Sequence, residues 1–314
     1  MMANIKTLSA KPEQLTGGHR MCPGCGAPII VRQTLMAIDE PVIVVAATGC
    51  LEVSTTIFPF TAWKVPFLHS AFENAAATAS GIEAAYQSLK RQGKITKNIK
   101  IVAFGGDGGT YDIGFQALSG AMERFHNMLY ICYNNEAYMN TGVQRSSATP
   151  KGANTTTEPA GKVGQGKNQM RKDLTYCMVA HNIPFVAQAS LAYWNDYVTE
   201  VQKAMATEGP SFINVLSPCQ LGWQCDPSKT VEISRQAVEN CFWPVYEVSD
   251  RKWKLNVKPK EKKPIIEYLK AQGRFRHLFK PGNEALLTQI QAEVDRNWEE
   301  LLARCGEKEE VLAK

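Results

Sequence analysis

At 314 residues the chain is long enough for one large α/β domain, or for one domain with an appended segment. A hydrophobic content of 44% and a charged content of 21% are ordinary for a folded soluble protein and argue against disorder. The net charge of +5 is mild, and the densest basic stretch, residues 252–263, contains Pro259 and reads as a solvated segment, so nucleic acid is excluded as an expected partner.

No apolar run reaches the roughly 18 residues of a membrane span, and the opening MMANIKTLSAKPEQ lacks the apolar stretch of a signal peptide. A cytoplasmic protein with no membrane partner is expected. Nine cysteines, an odd number, fit poorly with a disulfide framework and leave reduced thiols free to bind metal.

In chain order, residues 41–47 (PVIVVAA) form a short apolar run rich in β-branched residues, as a buried parallel strand does. An alanine-rich helix is predicted over Ser70–Arg91, a second buried strand over Ile99–Phe104, and a helix from about Asp112 to Arg124. Strands are predicted over Met128–Tyr133, Pro184–Gln188 and Ser211–Leu216, with a helix over Tyr193–Ala206. Strands alternating with helices predict a doubly wound, mostly parallel sheet. Ser146–Lys172, poor in large apolar residues, is expected to be a long surface loop. From about Asp226 the pattern changes to amphipathic helices and basic linkers. That divides the chain into a domain over 1–225 and a C-terminal helical extension over 226–314, packed on the domain or on a neighbouring chain.

The strongest chemical signal is Gly106-Asp107-Gly108 at the end of one predicted strand and Asn134-Asn135 at the end of the next. Open α/β sheets bind ligands at the C-terminal ends of their strands. Glycines beside Asp107 let the backbone approach a phosphate and free its N–H groups to donate. A carboxylate, an amide oxygen, a backbone carbonyl and two diphosphate oxygens would complete most of the octahedral oxygen shell that Mg²⁺ demands.

The cysteines give a second signal. Cys22 and Cys25 form a CxxC, and no second CxxC follows to make a zinc ribbon. Cys50 and Cys219 each stand just beyond a predicted strand, on the sheet edge that carries Asp107. The four are expected to bind one cluster, with Cys225 as the rival for the fourth place; Cys219 is preferred because it lies closer to its strand end. Cys132 reads as a small buried hydrophobe, and Cys177, Cys241 and Cys305 as structural. His19 and His69 are expected to act structurally or by supporting the residues that touch the cofactor, and Trp63, Trp223 and Trp243 as packing residues.

The Gly-Asp-Gly and Asn-Asn pattern matches the thiamine-diphosphate-binding fold. Further phrases sharpen the match: Gly18–Gly26 (GHRMCPGCG), Thr48-Gly49-Cys50, Ala71–Ala75 (AFENA), Gly105–Gly114, Asn135–Gly142 (NEAYMNTG) and Ser217-Pro218-Cys219. Together they resemble the β subunit of the 2-oxoacid:ferredoxin oxidoreductases, in the pyruvate branch that includes oxalate oxidoreductase. The resemblance runs from about residue 15 to about residue 245.

It implies Mg²⁺ held by Asp107, Asn135 and the Ala137 carbonyl, and a [4Fe–4S] cluster on Cys22, Cys25, Cys50 and Cys219, the SPC phrase favouring Cys219. It implies cofactor contacts from Thr48, Gly49, Cys50, Glu73, Gly106, Asp107, Gly108, Asn135, Asn140 and Thr141, with Asn140 beside the reacting centre. The implied activity is oxidative decarboxylation of a small 2-oxoacid, pyruvate or oxalate, with electrons leaving through the cluster to ferredoxin. Glu52, Glu73 and Glu136 fall on the diphosphate side, so the carboxylate that activates the cofactor's aminopyrimidine must come from a pyrimidine-binding subunit. A ferredoxin-like subunit is the second implied partner. Two other readings compete: a non-oxidative thiamine-dependent decarboxylase or carboligase, and a zinc-stapled structural subunit.

Overall fold

The computed structural model describes residues 4–307. One eight-stranded sheet organises them: β1 (Val42–Ala47), β2 (Phe67–Ser70), β3 (Lys100–Gly106), β4 (Leu129–Asn134), β5 (Phe185–Ser190), β6 (Ser211–Leu216), β7 (Val245–Ser249) and β8 (Lys252–Val257). Their spatial order is β2-β1-β3-β4-β6-β5-β7-β8. The first six in space run parallel, while β7 pairs antiparallel with β5 and with β8.

The interior parallel strands are largely apolar because helices cover both faces. Successive residues of β1 and β3 alternate between two cores. Val45, Ala47, Ile101 and Ala103 enter one with helices Ala75–Arg91, Phe115–Glu123 and Glu284–Cys305. Val44, Ala46, Val102 and Phe104 enter the other with helices Gly26–Ala37 and Trp194–Ala206. The doubly wound sheet expected from the sequence is therefore present, with helices at the C-terminus.

Register sets the site. Ala46 faces Phe104, Gly106 faces Tyr133 and Asn134 faces Leu216, so the residues after β1, β3, β4 and β6 emerge on one edge. The chain leaves β1 toward β2 on one side and returns as β3 on the other. That reversal between β1 and β3 is the crevice where sheets of this kind take ligands.

Four local expectations need correction. The helix expected from Ser70 starts at Ala75, because Phe67–Ser70 pairs parallel with β1 as an edge strand. The helix expected from Asp112 begins earlier and wider, as a π-helical segment over Gly108–Ile113 that passes into Phe115–Glu123. Residues 146–172 hold no helix or strand, yet Ser146, Ala148, Thr149, Ala153 and Lys167 are buried, so this segment folds inward as well as over the surface. Beyond Asp226 the expected helices are joined by the β7–β8 hairpin, whose Tyr246 and Trp253 stack at 5.5 Å within the same core. Among the described residues no helix is long and apolar enough to cross a membrane.

Candidate active site

A small cavity opens at the β1–β3 crevice. It is lined by Thr48, Gly49 and Cys50 after β1, Gly106–Gly109 after β3, and Asn135, Ala137, Asn140 and Thr141 after β4. Ten of the expected site residues thus meet in one place. Glu73 is not brought to it: its backbone packs against Gly114, and its neighbour Phe72 lines the cavity instead.

Asp107 is fully buried at the end of β3. Its Oδ1 accepts the Asn135 N–H at 3.2 Å, and its Oδ2 accepts the Ser146 hydroxyl at 2.5 Å. Burial pushes its pKa up to about 7, against the pull of those two donors. The outer atom of the Asn135 amide lies 2.8 Å from both Asp107 Oδ1 and the Ala137 carbonyl oxygen. With nitrogen turned inward it donates to both. With oxygen turned inward, three oxygens converge with no proton among them, an arrangement that is stable around a hard cation. A buried carboxylate held with no basic partner suits the same ion, whose charge would return it to the ionised form. The donor set therefore fits Mg²⁺.

The glycines answer to packing as well as to ligand approach. A Cβ at Gly108 would collide with the Tyr138 ring, and one at Gly109 would come within 2.9 Å of the Phe72 carbonyl. The π-helical segment begins at Gly108, so its first N–H groups lack intrahelical partners, and Gly108 and Gly109 line the cavity. Thr48 Oγ1 is hydrogen bonded to His69 Nε2 at 2.8 Å.

The cysteines gather beside this cavity. Cys25 N–H donates to the Cys22 carbonyl at 3.1 Å, closing the CxxC turn, and Gly26 N–H donates to the Pro218 carbonyl at 3.2 Å, joining that turn to the segment bearing Cys219. Gly24, at φ +75°, lies so close to Pro227 that no side chain fits. Burial, with smaller contributions from the charges of Cys219, Cys50 and Cys22, pushes the Cys25 thiol up to about 12. Burial likewise pushes Cys50 up to about 11, with Cys219, Cys22 and Asp107 adding to the effect. Cys225 feels Cys219 of this group, and Arg274 pulls its thiol back down against burial. The Cys25, Cys50 and Cys219 thiols, raised by burial first and by neighbouring thiols second, would become thiolates against a shared cationic centre. Among the described residues no three His, Cys, Asp or Glu side chains are drawn close enough to hold a metal ion.

Residues 47–215 match the thiamine pyrophosphate enzyme family in its C-terminal TPP binding domain. Over 313 residues the chain is 50% identical to pyruvate synthase subunit PorB of Thermotoga maritima, covering 96% of each chain. The chain belongs to the β subunits of the 2-oxoacid:ferredoxin oxidoreductases. It is also 43% identical over 286 residues to ketoisovalerate oxidoreductase subunit VorB of Pyrococcus abyssi, covering 90% of this chain and 92% of that one. In fold it resembles the 2-oxoglutarate:ferredoxin oxidoreductase of Magnetococcus marinus, at a TM-score of 0.56 and 21% identity over 74% of this chain and 81% of that one. This β subunit is thus a thiamine-diphosphate-binding subunit of an oxidoreductase.

The structure adds site residues that sequence reasoning missed. Glu136 is fully buried at φ +67°, and its carboxylate pairs with Arg171 at 3.2 Å and Arg274 at 2.5 Å. The Arg274 guanidinium lies 4.1 Å over the Trp223 ring. Trp223 Nε1 donates to the Asn135 carbonyl at 2.8 Å, while Trp223 N–H donates to the Cys219 carbonyl at 2.8 Å. One side chain thus joins the loop bearing Asn135 to the segment bearing Cys219. Asn134 turns inward, donating to Tyr111 Oη at 2.9 Å, and takes no part in the oxygen set. These partners lie far apart in sequence, and no local motif announces them. Trp63, Trp223 and Trp243 are buried as expected, and so is Cys132.

Proposed function

We propose that this subunit binds thiamine diphosphate through Mg²⁺ held by Asp107, Asn135 Oδ1 and the Ala137 carbonyl, and carries a [4Fe–4S] cluster on Cys22, Cys25, Cys50 and Cys219. The assembled enzyme then oxidatively decarboxylates pyruvate and passes the electrons to ferredoxin. The observation that carries this reading is the position of Cys50. It lines the same cavity as Asp107 and Asn135, and its thiol is raised by burial first and then by the nearby Cys219 and Cys22. A redox centre there would adjoin the decarboxylation site.

When bound, thiamine diphosphate supplies an electron sink for the pair released as CO₂ leaves. The chain's own residues bind and orient. Glycine N–H groups at 106–109 would hold the diphosphate, Asp107 and Asn135 would hold its metal, and Asn140 and Thr141, which line the same cavity, would help orient the cofactor. Pyruvate is favoured over oxalate because the relative sharing half its residues with this chain is named for pyruvate. The aminopyrimidine-activating carboxylate comes from a pyrimidine-binding partner subunit, and a ferredoxin-like subunit conducts the electrons outward in the cytoplasm. Zinc stapling is disfavoured because no second CxxC follows Cys22 and Cys25, and a non-oxidative carboligase has no use for the cysteines.

The test is anaerobic purification of the complex, followed by iron, acid-labile sulfide and thiamine diphosphate analysis, with ferredoxin reduction by pyruvate and by oxalate compared. About four irons and one thiamine diphosphate per chain are expected. Zinc without sulfide would sink the electron-transfer reading, and thiamine without iron would favour the carboligase.

A further inference from the structure

Lys167 lies in the irregular segment after Thr141 and is only 2% exposed. Its ammonium donates to three backbone carbonyls, Ser146 at 3.2 Å, Ser147 at 3.2 Å and Thr149 at 2.6 Å. Glu158 and Asp112 act on it through longer-range attraction, and burial draws its pKa down to about 8. Three carbonyl dipoles aimed at one point repel one another unless a cation sits there, and the lysine supplies that cation from within the chain. Its own backbone is pinned on both sides: Gly152 N–H donates to the Lys167 carbonyl at 2.8 Å, and Lys167 N–H donates to the Ala153 carbonyl at 3.1 Å.

The turn it gathers, residues 146–149, touches each segment of the oxygen set. The Ser146 hydroxyl donates to Asp107 Oδ2 at 2.5 Å, Ser147 N–H donates to Asp112 Oδ2 at 3.0 Å, and the Thr149 hydroxyl donates to the Glu136 carbonyl at 2.6 Å. The segment after β3 and the segment after β4 are thus braced against one turn, and the turn against one ammonium. We propose that Lys167 is a positioning residue for the diphosphate–metal site, setting the Asp107 carboxylate and the Asn135 loop through the turn 146–149. The inference rests on the reading of Asp107 and Asn135 as Mg²⁺ ligands.

The experiment measures half-saturation of the anaerobically purified complex, stripped of cofactor, by Mg²⁺ and thiamine diphosphate, with iron and sulfide content read in parallel. Lys167→Ala is expected to raise the half-saturating concentrations by about tenfold or more while iron per chain is unchanged, since removing an outer support costs about 10- to 100-fold in metal affinity. Ammonium or ethylammonium chloride is expected to restore binding where choline chloride of equal ionic strength does not, because the small cations can occupy the vacated carbonyls. Binding by Lys167→Ala within about twofold of wild type overturns the inference, as does a loss that ammonium leaves unrelieved. Should Lys167→Ala fail to assemble, Ser146→Ala cuts the bond to Asp107 and leaves the three carbonyls on Lys167 intact. It is expected to weaken Mg²⁺ binding, and unchanged binding there also overturns the route through the turn. A wild-type complex that binds no Mg²⁺–thiamine diphosphate would instead overturn the underlying reading.

Discussion

Replacing Arg274 by Met should destabilise the subunit by on the order of 3 kcal/mol. Glu136 is fully buried, and Arg274, 2% exposed, is its shorter partner at 2.5 Å. Removing one member of a buried ion pair costs about 3–5 kcal/mol, because the other charge stays buried. Arg171 remains 3.2 Å from the second carboxylate oxygen, which puts the loss at the low end. Gln272 Oε1, which accepts from Arg274 Nε at 2.9 Å, would also lose its donor. For 314 residues the unfolding entropy at about 2.1 cal/mol/K per residue is roughly 0.66 kcal/mol/K, so ~3 kcal/mol corresponds to about 5 °C in Tm. Thermal unfolding of the anaerobic complex, followed by circular dichroism, reads the shift. Met matches the length of the arginine stem and still packs on Trp223, so the loss reports charge rather than volume. The double variant Arg274→Met/Glu136→Gln should recover part of it, since the fully buried carboxylate charge is then gone and Arg171 keeps its bond to the Phe242 carbonyl. A single variant within about 1 °C of wild type, or a double variant no better than the single, would show that the pair does not hold the loop as argued.

Two further predictions concern separate parts of the molecule. Cys219→Ala should reduce iron from about four per chain to near zero, whereas Cys225→Ala should leave it unchanged; equal losses, measured by iron and sulfide assay, would return Cys225 to candidacy as a ligand. The second concerns pH. Glu200, buried beneath Lys203, has its pKa pushed up to about 8 by burial first and by Glu247 second. Burial opposes the ionised form of Glu247 too, but hydrogen bonds from Glu200 and Lys203 prevail and hold it down to about 2. The raised group contributes stability that is full below the ordinary carboxylate range and is lost as pH rises toward about 8. Glu200→Gln keeps a donor for Glu247 and does not titrate, so its Tm advantage over wild type should be greater at pH 8 than at pH 5. An advantage that does not change with pH would refute the assignment.

Much of this architecture is legible in the chain because its signals are local. Residues 42–47 are an unbroken apolar run and 129–134 and 211–216 are largely apolar, and each is an interior strand. Asp107 and Asn135 announce themselves because each follows such a run directly. The elements that sequence reasoning missed have weak or mixed signals. β2 has four residues and two of them, Leu68 and His69, are exposed, so it carries no apolar run. β8 alternates Lys252 and Lys254 with Trp253 and Leu255, which reads as a basic linker unless its partner β7 is known. Lys167 was concealed in another way: in a polar stretch a lysine looks solvated, and only the fold brings three carbonyls around it. Arg274 reaches Glu136 across 138 positions, a pairing that no spacing rule encodes.

The two ends of the sheet have a consequence for how the subunit meets other chains. A long flat edge strand offers a ladder of free N–H and C=O groups to any extended segment, and is a standing invitation to aggregate. Here one end is a strand of four residues, too short to template much pairing, and the other presents exposed lysines whose charges would have to be buried beside an incoming strand. Both ends are therefore poor docking places, which leaves the loops at the strand tips and the outer helix surfaces as the ground on which neighbours can be recognised.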